Sequence, residues 1–438
     1  MRGLSDQFKA SPVTIQKIFH KLSQEGVITA RPGSGTFVAA PPVAATRRAA
    51  DARWQTVVLG PRLTDPTLAS DLYAETRAGV IELGSGYFDE TMQPIALLRS
   101  AASRISRRPG VWGRAPLEGT HELRAWFASE LGEPYHARDI LVVAGGQVAL
   151  STIFRVLVPT GGAILMESPT YFGALASARA LGARLVPIPT DGDGVLPDQL
   201  GKALAATHAQ VIYLQPTYSN PTGALLSPAR RQAVVDLARE NGAFVVEDDF
   251  AGDLHLGGAP PRPLAPEAPE HVIYVRSLTK TVAPAIRLAA IASAGPVAAR
   301  LRSLRAMDDW FASKFLQDVA VDVVTHTSWP RHLRTVRRRL RERRDAAVEA
   351  LRRHLPQARL GLIPDGGFNL WLQLPEGIDD LQLARDAERL GVHVHAGRAW
   401  FPAEAPGPFL RISFAAADGP QLRDGAAVLG EAMALQLA

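Results

Sequence analysis

The sequence contains no cysteine among its 438 residues. This absence excludes disulfide bonds, cysteine nucleophiles and thiolate metal sites, and no metal site of another kind is predicted. No apolar run reaches the length that spans a membrane, and the first residues, MRGLSDQFKA, lack the apolar stretch of a signal peptide. We therefore expect a cytoplasmic protein that does not enter a membrane.

A large excess of charge of one sign is also missing. Lys and Arg number 48 against 43 Asp and Glu, which gives a formal net charge of +5. This total is too small to indicate nucleic-acid binding by itself. Basic residues are concentrated in segment 331–353, where apolar residues fall near helical spacing. We interpret the segment as a solvated helix face, and a nucleic-acid-binding patch is the alternative.

Residues 1–38 have the pattern of a small helical unit. A helical segment is followed by Ser11-Pro12, an N-cap with proline at the first helical position. The next segment, VTIQKIFHKLSQEG, carries apolar residues at helical spacing and ends at Gly26. VITARPGSGTFVA then predicts two short strands around a turn. Residues 39–78 lack clear periodicity and are predicted to form a linker.

From residue 79 onward, apolar runs alternate with helical patterns. The runs predicted to be strands are 140–144, 163–167, 184–188, 211–215, 243–247, 272–276 and 288–293. Continuous apolar strands separated by helices predict an α/β fold with a largely parallel sheet that is covered on both faces. The last part of the chain resembles a smaller α+β lobe, with predicted strands at 368–374, 392–396 and 410–415.

Polar residues follow several of these predicted strands, where ligands bind in open α/β sheets. These residues are Gly146, Gln147, Tyr171, Asn220, Asp248, Ser277, Thr279, Lys280 and Arg287. Each has an ordinary interpretation by itself, such as a turn glycine, a packed ring, a solvent-facing acid or a surface lysine. Together they supply an amine, an acid, hydroxyls with an arginine, and an aromatic ring, which are the groups that pyridoxal 5′-phosphate (PLP) requires. We therefore predict a PLP site that is centred on Lys280.

The motifs S-x-T-K (277–280), N-P-T-G (220–223) and E-D-D (247–249) carry a family resemblance. Residues 79–438 resemble a fold-type I PLP-dependent transferase of the aspartate aminotransferase superfamily. The segment SPVTIQKIFHKLSQEGVITARPGSGTFVA resembles a GntR-type winged helix-turn-helix. This order of units is the signature of the MocR-type regulators. The resemblance implies a mostly parallel seven-stranded sheet in a PLP-binding domain at 79–330, a small domain at 331–438, and a homodimer.

The resemblance also implies a role for the residues at the centre of the site. Lys280 would attach the cofactor covalently and later move a proton on the substrate. Asp248 would stay ionised and hold the pyridine nitrogen in its protonated form. Asn220 would bond the phenolic oxygen of the cofactor, and Tyr171 would stack on its ring.

Other residues would hold the charged ends of the ligands. The resemblance places Gly146, Gln147, Ser277, Thr279 and Arg287 around the phosphate. Arg411 matches the arginine that grips a substrate carboxylate, a contact that suits its planar fork.

Three positions depart from the family pattern. Phe250 stands where relatives carry an aromatic hydroxyl that touches the phenolic oxygen, which weakens the prediction of efficient turnover. Gly146 stands where a hydroxyl is usual, so it offers only its backbone. Arg114 falls where relatives place a tyrosine that reaches the phosphate of the partner subunit, and arginine is also able to make that contact.

A winged unit places its second helix in the major groove of DNA. The residues expected to contact DNA are Ser11, Thr14, Gln16, Lys17 and Arg31. A small helical cap that binds nothing is the alternative. GntR-type units normally begin with an additional helix and a short strand, so we expect either a start codon assigned too late or a truncated unit.

Two hypotheses for function follow. The first is a transcriptional regulator whose aminotransferase-like domain senses PLP or an amino-acid adduct while the winged unit binds DNA. The second is an active aminotransferase with a vestigial N-terminal unit. The fused winged unit favours the first, which we prefer, and the missing helix favours the second. The sequence identifies neither the amino acid, the operator, the sign of regulation nor the survival of transamination.

Overall fold

The computed structural model describes residues 2–39, 53–58, 79–258 and 260–437. The chain divides into two compact units, Met1–Arg62 and Leu63–Ala438. The predicted linker at 39–78 lies largely outside the described residues. Within it the structure describes residue 39 and a short helix, α3 (Arg53–Val58).

The N-terminal unit has each element that the sequence predicts. Helices α1 (Arg2–Phe8) and α2 (Pro12–Gln24) precede strands β1 (Ile28–Arg31) and β2 (Gly35–Val38), which pair antiparallel. Ser11 caps α2, because its side chain accepts a hydrogen bond of 3.1 Å from the Thr14 N–H. Gly26, beyond the end of α2, has a φ of +70°, a conformation that glycine adopts without a steric penalty.

The second unit is built on a sheet of eight strands. In chain order they are β4 (Ile140–Val143), β5 (Ala163–Ser168), β6 (Arg184–Asp191), β7 (Gly194–Val195), β8 (Val211–Leu214), β9 (Phe244–Asp249), β10 (Val272–Ser277) and β11 (Ala289–Ala292). Their spatial order is β4-β11-β10-β9-β8-β5-β6-β7. The sheet is parallel except that β11 runs antiparallel to both neighbours and β7 antiparallel to β6. The predicted count of seven is therefore one too low, because the two-residue β7 is too short to leave an apolar run.

Helices cover both faces of this sheet, as continuous apolar strands require. One face packs against α4 (Ile95–Ile105), α5 (His121–Leu131), α8 (Pro197–Thr207), α9 (Pro228–Glu240) and α11 (Lys314–Val324). The other face packs against α6 (Gly146–Leu157), α7 (Phe172–Ala180) and α10 (Pro296–Asp308). In this arrangement α6 begins directly after β4, and α7 begins shortly after β5.

The C-terminal lobe has its own sheet and core. Its elements are α12 (Trp329–His354), β12 (Arg359–Leu360), β13 (Asn369–Gln373), α13 (Asp380–Arg389), β14 (Val392–His393), β15 (His395–Ala396), β16 (Phe409–Ser413) and α14 (Gly419–Leu437). The lobe sheet has the order β12-β13-β16-β15. The predicted single strand at 392–396 is wrong, because β14 leaves this sheet and pairs parallel with β3 (Ile81–Glu82). The sequence did not predict this pairing for two reasons. Residues 81–82 lie far from 331–438 in the chain, and a strand of two residues shows no hydrophobic periodicity.

Helix α12 contains the basic segment found in the sequence. It buries an apolar face that includes Val336 and Leu340. Several of its arginines bond backbone carbonyl oxygens of neighbouring loops, such as Arg337 Nε to Asp253 O at 2.7 Å and Arg339 to Thr91 O at 2.8 Å. Part of the helix face that was predicted to be solvated therefore forms hydrogen bonds to the rest of the unit. Among the described residues, no helix is both long and apolar enough to cross a membrane.

Candidate active site

A cavity of about 520 Å³ lies at the carboxyl ends of the sheet strands. This volume falls within the usual range for small-molecule sites. The sequence-predicted residues that line it are Gly146, Gln147, Tyr171, Asn220, Asp248, Ser277, Thr279, Lys280, Arg287 and Arg411. Arg114 is not among the residues that line this cavity, and its guanidinium lies over the ring of Trp310 at 5.2 Å. Its predicted contact with the phosphate of the partner subunit stays a prediction. The structure thus brings ten of the eleven predicted cofactor and substrate residues into one chamber.

The acids of the E-D-D motif occupy the end of β9 and do not follow it. All three side chains are buried, so a solvent-facing acidic loop is the wrong interpretation. Successive side chains on a strand point to opposite faces. Asp248 therefore faces the cavity, while Glu247 and Asp249 face the other side of the sheet. There Glu247 accepts backbone hydrogen bonds from Leu264 and Ala265, and Asp249 accepts one from the Tyr274 hydroxyl at 2.6 Å.

Asp248 is held by two neutral donors. The Tyr213 hydroxyl donates to Asp248 Oδ2 at 2.7 Å, and Gln215 Nε2 donates to the same oxygen at 3.0 Å. Burial raises the pKa of Asp248 to about 6, and the two hydrogen bonds oppose that rise. The carboxylate is therefore largely ionised at neutral pH, and a cation in the cavity would lower its pKa further.

Lys280 projects into the cavity just beyond β10. Its Nζ donates to Gly86 O at 2.9 Å and lies 4.0 Å from the centre of the Tyr87 ring. Desolvation lowers the pKa of Lys280 to about 7, and the positive charges of Arg411 and Arg287 act in the same direction. A substantial fraction of this amine is therefore neutral, and so nucleophilic, near pH 7.

An anion site is formed by the start of α6 and the loop after β10. The first backbone N–H groups of a helix have no partner within the helix and attract anions. Ser277, Thr279 and Arg287 line the same end of the cavity. Gly145, which precedes α6, has a φ of +100°, and a Cβ there would come within 2.8 Å of the Arg287 guanidinium. A larger residue there would be strained by the positive φ and would displace the Arg287 guanidinium from this position.

Gln147 differs from its predicted role. Its side-chain Nε2 donates to Gly173 O at 2.7 Å and to Ser177 Oγ at 2.8 Å, and its Oε1 accepts from the Tyr171 hydroxyl at 3.2 Å. The side chain therefore orients the Tyr171 ring and secures α7. What Gln147 offers an anion is its backbone N–H in the first turn of α6.

Arg411 lies on β16 and lines the cavity. Its side chain is buried, one terminal nitrogen donates to Asn369 Oδ1 at 3.1 Å, and the other donates to Gly84 O. Its Nε is buried without a hydrogen-bond partner among the described residues. Desolvation lowers the pKa of Arg411 to about 10, which leaves it cationic at neutral pH. A buried guanidinium with an unused donor is suited to a carboxylate ligand.

Several lining residues were not anticipated from the sequence. They are Glu82, Gly84, Ser85, Gly86, Tyr87, Leu150, Phe172, Gln215, Phe368, His393 and His395. The glycine-rich stretch LGSGYF (83–88) was a usable signal for close backbone approach. His393 and His395 are two residues apart in an extended segment, so they share one face.

The residues around the cavity fit PLP by their chemistry. The α6 end supplies donors for a phosphate, Asp248 a partner for a pyridinium, Tyr171 an aromatic ring, and Lys280 an amine for an aldehyde. Asn220 also lines the cavity, with its Oδ1 buried and without a hydrogen-bond partner in the described part of the chain. Phe250 also lines the cavity and offers no hydroxyl there.

The residues predicted to contact DNA lie in the N-terminal unit. Ser11, Thr14, Gln16, Lys17 and Arg31 are all exposed. Ser11 and Thr14 also form the cap of α2, and the Arg31 guanidinium lies over the Phe37 ring at 5.5 Å. Their contact with DNA stays a prediction.

Comparisons with known proteins agree with this architecture. Residues 78–429 match the family model described as aminotransferase class I and II. The uncharacterised HTH-type transcriptional regulator YdfD of Bacillus subtilis is 27% identical over 435 residues, which cover 98% of this chain and 90% of the relative. The probable rhizopine catabolism regulatory protein MocR of Rhizobium meliloti is 27% identical, with 97% of this chain and 86% of the relative covered.

A solved structure gives the same result for the large unit. The α-aminoadipate aminotransferase LysN of Thermus thermophilus, in complex with N-(5′-phosphopyridoxyl)-L-leucine, superposes with a TM-score of 0.79. It is 28% identical and covers 85% of this chain and 97% of its own. The chain therefore belongs to the PLP-dependent class I and II aminotransferase family and is of the MocR type, which joins a helix-turn-helix unit to this fold.

Proposed function

We propose that this protein is a cytoplasmic transcriptional regulator that binds PLP through Lys280 and senses PLP or an amino-acid adduct in the same cavity. The observation that carries the proposal is the combination of two features in one chain. One is a cavity that gathers Lys280, Asp248 and Arg411, and the other is a helix-turn-helix unit whose predicted DNA-contacting side chains are exposed.

Lys280, Asp248 and Arg411 each have a defined role in this proposal. PLP, when bound, supplies an aldehyde that condenses with amines and a ring that withdraws electrons. Lys280 provides the amine, which is neutral above about pH 7. Asp248 holds a proton at the pyridine nitrogen, and Tyr213 and Gln215 keep its carboxylate in position. Arg411 orients an incoming amino acid by its carboxylate.

An active aminotransferase is the second candidate. It is favoured by Lys280, whose lowered pKa suits a group that takes and returns a proton near neutral pH. Phe250 counts against efficient turnover, because it places no hydroxyl beside the site.

We also propose a homodimer, on the basis of an exposed aromatic surface. Trp112 is 73% exposed and stacks on Phe315 with ring centres 5.1 Å apart. Trp310, whose ring lies under the Arg114 guanidinium, is 57% exposed. Apolar patches of this kind mark interaction surfaces. Light scattering of the PLP-loaded protein should give the mass of two chains. A monomer that binds PLP stoichiometrically would contradict the proposal.

The test of the regulator is DNA binding by the full chain to the region upstream of its own gene, with and without PLP, across a salt titration. We expect sequence-specific binding whose affinity falls with salt, as phosphate contacts require, and changes when PLP is added. Scrambled DNA of equal length is the control. Loss of specific binding in all conditions, together with transfer of an amino group from a panel of amino acids, would favour the aminotransferase.

A further inference from the structure

One backbone segment lines the cavity and is contacted by two side chains that the ligands need. We call residues 83–87 the strap. Lys280 Nζ donates to the strap carbonyl of Gly86 at 2.9 Å, and Arg411 donates to that of Gly84. The ring of Tyr87 also lies 4.0 Å from Lys280 Nζ. Lys280 and Arg411 are thus both contacted by a single stretch of chain.

The strap is fixed on both sides of these contacts. On its N-terminal side, β3 pairs with β14, and the Glu82 carboxylate accepts hydrogen bonds from the Gly84 N–H at 2.7 Å and from His393. The Ser413 N–H donates to Leu83 O at 2.6 Å. On its C-terminal side, Asp89 pairs with Arg343 at 2.6 Å. Movement of the strap is therefore confined to the part that spans the cavity.

Ligand binding requires the same donors. When the Lys280 amine attacks the aldehyde, a C=N bond forms at Nζ, and the carbonyl oxygen leaves as water with the two amine hydrogens. The nitrogen then keeps at most one proton, and the new bond fixes its position, so it no longer serves Gly86 O as the free amine does. A bidentate amino-acid carboxylate needs two guanidinium nitrogens of Arg411. The Nε is unused, but one terminal nitrogen serves Asn369 Oδ1 and the other serves Gly84 O.

We propose that the strap competes with the ligands for Lys280 and Arg411, and that its release is the signal that PLP and an amino acid generate. This inference rests on the proposed function and adds a regulatory device to the same site. In chain order, the strap comes soon after the predicted linker, so it is the first part of the ligand site to follow the helix-turn-helix unit. A state that blocks the site also lowers apparent affinity in proportion to its population.

Hydrogen exchange tests the release in the full chain. The Tyr87 N–H, in the part of the strap that spans the cavity, donates to Ser85 Oγ at 3.0 Å, whereas the Leu83 N–H, at the fixed N-terminal side, donates to His393 O at 2.9 Å. We expect PLP to speed exchange of the Tyr87 amide by about tenfold or more, while the Leu83 amide is unchanged. Unchanged or slower exchange, with PLP attached to Lys280 by mass, would overturn the inference.

Two matched variants test the competition itself. Tyr87→Leu removes the ring beside Lys280 Nζ, whereas Tyr87→Phe keeps it. If the ring holds the ammonium back, Tyr87→Leu should tighten apparent PLP binding by about two- to thirtyfold, and Tyr87→Phe should match the wild type. Weaker or unaltered PLP binding by Tyr87→Leu contradicts the strap. Failure of the wild-type protein to attach PLP at all would instead contradict the proposed function.

Discussion

The helix-turn-helix unit and the aminotransferase-like unit are stabilised in different ways. Within residues 2–39, Ile15 is the buried apolar side chain, while Phe8, Ile18 and Phe37 are 65%, 46% and 47% exposed. In the large unit, by contrast, apolar clusters fill both faces of the main sheet and the C-terminal lobe. The second unit therefore has the apolar burial that drives folding, and the first has little of it.

This contrast separates two kinds of site. The cavity residues are set by a rigid sheet, so groups far apart in sequence keep fixed positions around a ligand. The predicted DNA-contacting residues lie on α2 and β1, whose geometry depends on local caps and turns. A unit with little core gains stability from whatever binds its folded state, so DNA should order the first unit more than PLP orders the second.

The largest expected effect comes from Lys280→Ala. This variant should lose all PLP that borohydride traps on the protein, because no other amine lines the described part of the cavity. Its unfolding midpoint should stay close to that of the ligand-free wild type, since the removed side chain belongs to the site and not to the core. Mass spectrometry after reduction is the measurement, and Lys202→Ala, on the exposed surface of α8, is the control. Covalent PLP on the Lys280→Ala variant would show that the lysine assignment is wrong.

A core substitution in each unit should sharpen the comparison. Leu165→Ala on β5 removes a fully buried side chain and should cost about 2–5 kcal/mol of unfolding free energy. Ile15→Ala should raise hydrogen exchange throughout α2 while leaving the large unit's urea midpoint in place. Tryptophan fluorescence reports that midpoint, because all tryptophans except Trp54 lie beyond residue 62. An equal shift of the midpoint by Ile15→Ala would show that the two units unfold together.

The pH dependence of PLP attachment tests the environment of Lys280. Only the neutral amine attacks an aldehyde, and burial lowers the pKa of Lys280 from 10.5 to about 7. The attachment rate should rise about tenfold per pH unit below pH 7 and level off above it. Stopped-flow absorbance at a series of pH values measures the rate. A rate that keeps rising to pH 10 would indicate an ordinary, solvated lysine.

The smallest effect should come from the DNA side. Lys17→Ala removes one exposed positive charge on α2, so binding should weaken similarly for all DNA sequences. The slope of log affinity against log salt should fall in magnitude by about 0.9 for one lost phosphate contact. Fluorescence anisotropy over a salt range measures this, with Lys202→Ala as the matched variant on the large unit. Equal slopes for Lys17→Ala and the wild type would remove Lys17 from the interface.

Much of the fold was predictable because its elements are local patterns. Each predicted strand of the main sheet is a continuous apolar run, and each predicted cofactor residue except Arg114 follows such a run or sits at its end. Elements made of two residues, such as β7 and the β3–β14 pair, were missed because they carry no periodicity. The face of β9 on which Asp248 lies follows from alternation, once the strand is known to extend to Asp249.

The sequence by itself determined the order of the two units, seven of the eight strands of the large sheet, and the positions of Lys280 and its companion motifs. Local hydrophobic periodicity and short motifs carry that information. Only the tertiary structure decided that the strap lies against Lys280 and Arg411, that Gln147 is committed to α7, and that Arg114 lies outside the cavity. Some of these contacts join residues that are distant in sequence, and others depend on which of several hydrogen-bond partners a side chain takes. The packing of the whole unit decides both the contacts and the choice of partner.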